Sequence, residues 1–244
     1  MPNVLKVFLE NGQTKSFKYD TKTTVKDVLD SLQAKLSVMR TEHFSLVLQH
    51  RKHFHRSKLS ILPLSETLSR IAARPGAEHF RILFRITFVP QDACDLAKND
   101  PVAFEYFYTQ CCNDVVQDRF SADVKPDVVL RLAALHIQQH ALGNNFTGKI
   151  SIKQVERECG LEHYVPESVL NSMKRKDVRK LVSHYLKVNP NLVPIGQRSL
   201  SAEQAKQQYL KIVADLPSFG VKLYNILLRV RYTRRHPKKF VVCI

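Results

Sequence analysis

The sequence predicts an α+β fold in two lobes, a β-rich first lobe followed by an all-helical second one, and three observations carry that reading. Across 80–88 the residues alternate: Ile82, Phe84, Ile86 and Phe88 share one face, and Arg81, Leu83, Arg85 and Thr87 share the other. This is the period of a strand with one apolar and one mostly polar face. The pattern stops at Val89-Pro90, because proline has no N–H to continue a ladder. Within about a dozen residues Asp100-Pro101 opens a broad apolar helix, with the aspartate able to accept from free first-turn N–H groups and the proline suited to the first helical position. Beyond this seam every segment to residue 217 reads helical.

In chain order, 4–9 and 16–19 form a hairpin joined by Glu10-Asn11-Gly12-Gln13, since Asn-Gly suits turns that need positive φ. Residues 24–36 form a helix: Thr24 and Asp27 have capping-box spacing, and Val25, Val28, Leu29, Leu32 and Leu36 fall on one face. Strands at 44–49 and 59–62, a short helical turn at 65–71 and the strand at 80–88 complete the order of a β-grasp fold. The helix after Pro101 carries two adjacent apolar stripes, Ala103, Phe107, Cys111, Val115 and Phe104, Tyr108, Cys112, as expected inside a bundle. A helix at 126–141 follows, with Val129, Leu132, Ala133 and His136 on one face; the polar stretch 143–149 breaks it. Ser151 and Gln154 form a second capping-box pair, opening a short helix that Gly160 closes. Residues 168–187 make one or two helices, and Ser201 caps 202–216 with the stripe Ala205, Tyr209, Ile212, Leu216. After the turn at 217–220, residues 221–230 read as a strand with nothing left to pair with.

Composition narrows the function class. The 44% hydrophobic and 25% charged content is that of an ordinary globular protein, and no run of 18 apolar residues is present to span a bilayer. The apolar stretch 4–9 is short and broken by Lys6, unlike a signal peptide, so a cytosolic or membrane-peripheral protein is expected. Five cysteines without C-x-x-C spacing read as reduced packing residues rather than as a disulfide framework or zinc site, and the sequon Asn145-Phe146-Thr147 is idle in such a chain. The excess of 38 Lys and Arg over 22 Asp and Glu, a net +16, implies an anionic partner: lipid headgroups, nucleic acid or an acidic protein surface.

Two basic clusters are candidate sites. The run 50–58 holds Arg51, Lys52, Arg56 and Lys58 with His50, His53 and His55 and no acid; it is either an anionic-lipid contact or a solvated loop. Its histidines lack a nearby carboxylate or thiol for a metal. Lys174, Arg175, Lys176, Arg179 and Lys180, opposed only by Asp177, are a second candidate lipid contact, but they span more than one helix face, which favours a solvated surface. Cys111-Cys112 and His136 read as core. After Asp215 the chain has no acid, while Lys222, Arg229, Arg231, Arg234, Arg235, Lys238 and Lys239 supply seven positive charges; lipid, RNA or an import receptor would suit them, and so would a spliced tail without a role. The ending Val242-Cys243-Ile244 has the form that PDZ grooves accept. No Gly-rich phosphate loop, G-x-S-x-G, H-E-x-x-H or kinase motif occurs, so no enzyme and no cofactor are expected.

The chain resembles the FERM module, a three-lobed cytoskeletal and membrane adaptor. The resemblance rests on FRITFVPQDACDLAKNDPVAFEYFYTQ (84–110), DVVLRLAALHIQQ (127–139), ISIKQVERECGL (150–161) and YLKIVADLPSFGVKLYNI (209–226). With NVLKVFLENGQTKSFKYDTKTTVKDVLDSLQAKLS (3–37) it is most similar to FERM and PDZ domain-containing scaffolds. It implies a ubiquitin-like first lobe at 1–90, an all-α, acyl-CoA-binding-protein-like second lobe at 91–217, and at 218–244 a stub of the pleckstrin-homology-like third lobe with a divergent basic tail. Tail docking through a complete third lobe and a preceding PDZ domain are not carried over, and a truncated isoform is one reading of the ending.

The function implied is that of a non-catalytic adaptor at the cell cortex or synapse. Its expected partners are phosphoinositide-rich inner-leaflet lipids, with both basic clusters as contacts, and cytoplasmic scaffold or signalling proteins. A basic nucleic-acid binder is the alternative, without a groove-reading motif to support it. A truncated isoform with no function of its own is a third reading.

Overall fold

The computed structural model describes residues 3–50, 59–120, 124–144, 148, 150–189, 200–216 and 219–220, and the backbone of 58, 224–226 and 240–242. Strands Asn3–Phe8 (β1) and Thr14–Tyr19 (β2) pair antiparallel, Phe8 opposite Thr14, around a turn in which Gly12 has φ +81°. That left-handed backbone is the reason for the Asn-Gly pair. Helix Val25–Leu36 (α1) starts at the expected capping box: Thr24 Oγ1 accepts from the Asp27 N–H at 3.2 Å, and Asp27 Oδ2 accepts from the Thr24 N–H at 2.8 Å. Its buried face is Val25, Val28, Leu29 and Leu32.

Strands Phe44–His50 (β3) and Lys58–Ile61 (β4), helix Leu68–Ala72 (α2) and strand Phe80–Ile86 (β5) follow. The sheet order is β2-β1-β5-β3-β4, with β1 and β5 parallel at its centre and the other neighbours antiparallel. This is the β-grasp arrangement. Val7, Leu46 and Phe84 on the central strands are fully buried.

The second lobe is helical. Its helices are Ala93–Asn99 (α3), Pro101–Val116 (α4), Pro126–Gly143 (α5), Ile152–Glu158 (α6), Glu167–Ser172 (α7), Arg175–Val188 (α8) and Ala202–Ala214 (α9), with α5 packed against α8 and α9. In α5 Leu130, Leu132, Ala133, Ala134, Leu135 and Ile137 are all buried, so the helix is apolar on most sides because α8 and α9 flank it. Asp100 caps α4 as its sequence predicts, with Oδ1 accepting from the Ala103 N–H at 3.0 Å. Ser201 and Gln204 form the expected capping box of α9. Among the described residues no helix is long and apolar enough to cross a membrane.

Several expectations need correction. The stretch between Pro90 and Pro101, which the sequence leaves as a short linker, contains α3, which Asp92 caps through the Cys94 N–H. Ser151 occupies the N-cap of α6, but its side chain makes no capping bond; the Gln154 N–H goes to the Ser151 carbonyl at 3.0 Å. The seam strand ends at Ile86, so Phe88 lies outside it and is 54% exposed instead of sharing the buried face. Its polar face is not solvated either: Leu83 and Arg85 are both buried. In the last stretch, Tyr224–Ile226 (β6) pairs antiparallel with Phe240–Val242 (β7), so the segment expected to lack a partner has one in the chain's own final residues.

Candidate functional site

Helix α8 presents the second basic cluster. Val178 and Val182 are completely buried and fix its rotation. Arg175 and Arg179, one turn apart, then form one row toward α6 and the turn Leu161–His163. The Arg175 Nε donates to Glu156 Oε1 at 2.5 Å and its Nη2 to Glu162 Oε1 at 2.8 Å, while Arg179 Nε lies 3.3 Å from Glu156 Oε2. Lys176 and Lys180 form a second row, with Lys174 at the N-cap beside them. All three lysines are exposed and, among the described residues, have no carboxylate within ion-pair distance. Cations in a first turn oppose the helix dipole, so this end of α8 projects concentrated positive potential. The five basic residues therefore divide into two arginines bound to carboxylates of this chain and three lysines open to an outside anion.

Of the first cluster, Arg51, Lys52 and Arg56 lie outside the described residues, as do His53 and His55. The ends of the run are a ladder pair, His50 opposite Lys58, so 51–57 connects β3 to the edge strand β4.

The seam between the lobes is a polar cluster that the apolar stripes of α4 conceal. A third stripe, Tyr106, Gln110, Asn113 and Asp114, faces the sheet. The Gln110 side chain mimics a peptide group: Oε1 accepts from the Ile86 N–H at 2.8 Å and Nε2 donates to the Ile86 carbonyl at 2.9 Å. The Tyr106 hydroxyl donates to the Phe84 carbonyl at 2.7 Å and accepts from the Glu10 N–H at 3.1 Å. Its ring meets Phe44 and Phe84 edge-on.

Arg85 donates to Glu10 at 2.5 Å and to Asp114 at 2.5 Å, with side chains 6%, 9% and 10% exposed respectively; Arg119 closes on the other Asp114 oxygen. Asn113 Nδ2 holds the second oxygen of Glu10 at 2.7 Å. Burial raises the Glu10 pKa above its usual carboxylate value, against the pull of Arg85. Burial also opposes the Arg85 charge, but Asp114 and Glu10 outweigh it and hold the guanidinium above its ordinary value. Nearby Asp100, fully buried, accepts through Oδ2 from the Met39 and Arg40 N–H groups, both at 2.7 Å. One carboxylate thus caps α4 and ties down the chain after α1. The sequence signal for this seam was a run of polar residues at helical spacing beside the apolar stripes.

The core cysteines behave as packing groups: burial pushes the Cys112 thiol up to about 12, and Cys111 rises well above its ordinary value. His136 sits edge-on to Tyr164 at 4.9 Å between ring centroids and near Tyr108 and Tyr209. Burial, then the neighbouring His163 and His140, lower its pKa to about 3, so the ring is neutral. Among the described residues no group of three or more His, Cys, Asp or Glu could hold a metal.

A profile of the FERM central domain matches residues 95–224, and one described as RA like domain matches 1–88. The chain belongs to the FERM-domain family. It is 43% identical over 232 residues to FERM and PDZ domain-containing protein 1 of Mus musculus, which covers 95% of this chain and 15% of that protein. The human protein of the same name is 42% identical over the same length and shares. The chain thus spans about 15% of the curated relatives it matches. Among solved structures, the Dictyostelium discoideum myosin VII MyTH4-FERM MF2 domain superposes with a TM-score of 0.73 at 17% identity, over 100% of this chain and 46% of that one. The human myosin 7b C-terminal MyTH4-FERM domain, solved in complex with the harmonin-a PDZ3 domain, gives 0.58 at 15%, over 100% and 47%. These likenesses establish the fold: a ubiquitin-like lobe and a helical lobe of the FERM type.

Proposed function

We propose that this chain is a non-catalytic FERM-type adaptor that binds phosphoinositide-bearing inner-leaflet membrane at the cell cortex and gathers protein partners there. In this reading 1–90 and 91–217 are its first two lobes, and 218–244 holds a stub of the third with a divergent basic tail. The observation that carries it is the group of exposed lysines Lys174, Lys176 and Lys180, without a carboxylate partner among the described residues, at a helix whose neighbouring arginines are already paired. An ammonium without an internal carboxylate is free to meet a lipid phosphate, at about 1 kcal/mol per basic group near an anionic surface. The run Arg51, Lys52, Arg56 and Lys58 adds a second contact on the first lobe. Protein recruitment is supported by family membership and by the myosin 7b FERM domain, whose structure contains a PDZ domain as partner.

Sedimentation with phosphatidylcholine liposomes containing phosphatidylinositol 4,5-bisphosphate at physiological salt tests the membrane claim. Changing Lys174, Lys176 and Lys180 together to Ala is expected to weaken binding about 100-fold, and Arg175→Ala much less. Absence of binding, or binding indifferent to the triple change, overturns the assignment to α8. The quadruple change of Arg51, Lys52, Arg56 and Lys58 to Ala is expected to weaken it to a similar degree, and no loss removes the first-lobe contact.

A further inference from the structure

Helix α8 carries positive charge along its whole outward side, beyond the group at its first turn. Val178 and Val182 are completely buried and mark the inner face. At about 100° per residue the face opposite them holds Lys176, Lys180, Ser183 and Lys187, successive members being four, three and four residues apart. The three lysines are exposed, and Ser183 lies half-buried between them. Lys187, like Lys176 and Lys180, has no carboxylate within ion-pair distance among the described residues. The row runs about 16 Å along the helix, with Asp177 and His184 on its flank.

Two features decide what such a row can read. The arginines, whose planar forks could grip a single phosphate in two places, are turned aside to Glu156 and Glu162. What faces outward is lysine alone, a point charge without a fixed donor geometry, set in a straight line instead of converging on one point. The second feature is apolar: Val188, 39% exposed, lies beside the far end of the row, and half-buried Met173 precedes the near end. Ammonium groups bounded by apolar side chains suit a lipid surface. Nucleic-acid sites add arginine forks or stacking aromatics, and the row itself holds neither.

We infer that α8 lies flat along the bilayer and reads its charge density through Lys176, Lys180 and Lys187, not the stereochemistry of one head group. Phosphatidylserine at equal surface charge then serves this helix as well as phosphatidylinositol 4,5-bisphosphate. The inference rests on the membrane reading of α8 and adds Lys187 to the contact.

The test is sedimentation of the full chain at physiological salt with two sets of phosphatidylcholine liposomes, one carrying phosphatidylinositol 4,5-bisphosphate and one carrying phosphatidylserine at matched surface charge. Lys187→Ala is expected to weaken binding about fivefold on both. Ser183→Glu inserts a carboxylate into the row without removing a lysine, and Lys187 stands one turn on to pair with it. It is expected to weaken binding to the same degree with no fall in melting temperature. Titration of the ¹⁵N-labelled chain with inositol 1,4,5-trisphosphate is expected to give no saturable shift at the amides of 176–187. Loss factors that differ between the two compositions, an unaffected Lys187→Ala, or a saturable trisphosphate shift on α8 overturns the inference and leaves the membrane reading in place. Failure of the unaltered chain to bind either set overturns both, and a short RNA duplex bound more tightly than either liposome assigns the row to nucleic acid instead.

Discussion

Changing Arg85 to Ala is expected to destabilise the chain by about 3–5 kcal/mol, the cost of leaving buried Glu10 without its cation and buried Asp114 with Arg119 alone. Glu10 and Asp114 come from different lobes, and Arg85 lies between them at 2.5 Å from each. Removing the guanidinium sets two negative charges against each other in a site that excludes water. Urea denaturation measures the loss. A triple variant, Arg85→Met with Glu10→Gln and Asp114→Asn, removes the three most buried charges together and leaves only the more exposed Arg119; it is expected to recover most of the loss, since a buried ion cluster contributes little over an uncharged one of like volume. A loss below about 1 kcal/mol for Arg85→Ala would show that water reaches the cluster.

The same cluster sets a pH dependence. Burial, only partly offset by Arg85, raises the folded-state pKa of Glu10 above 4.5. Between that value and the raised one, the folded chain keeps a proton that the unfolded chain has released. The contribution of Glu10 to stability is therefore full below the unfolded pKa and is lost as pH rises through the folded one. Glu10→Gln is expected to flatten that part of the stability–pH curve; an unchanged slope assigns it elsewhere.

The second large effect is expected at Asp100. Its Oδ1 caps α4, and its Oδ2 receives two N–H groups from the chain after α1. Asp100→Ala removes a cap and strands two donors, for a loss of about 3 kcal/mol. Asp100→Asn keeps one acceptor but turns an amide toward the N–H groups, and is expected to fall between. Hydrogen exchange distinguishes the seam from general weakening: the Met39 and Arg40 amides should lose protection first. If they exchange no faster than the amides of β1, the carboxylate does not close the seam.

Much of this architecture was legible in the residues. Period-two alternation, the Asn-Gly turn and the caps at Thr24, Asp100 and Ser201 located elements through interactions a few residues apart. The failures had physical causes. Ser151 and Gln154 have capping spacing, but the serine hydroxyl makes no such bond. Residues 93–99 form a helix with Leu96 as its buried anchor, too little apolar periodicity to register. Arg81 and Arg85 occupy equivalent positions in an alternating strand, yet only Arg85 is buried, because Glu10 and Asp114 arrive from 75 and 29 residues away. The candidate site divided in the same manner: spacing grouped five basic residues on α8, while Glu156 and Glu162 decided which of them are paired.

By itself, then, the sequence determined the two lobes, their element order, the caps and the basic character, because these depend on local backbone chemistry and on apolar period. Only the tertiary structure decided that the seam is a buried ion cluster and that, among the described residues, α8 leaves three lysines without a carboxylate. Each of these arises from charges brought together across long stretches of chain, and a charge partner at that separation leaves no periodic mark in the sequence.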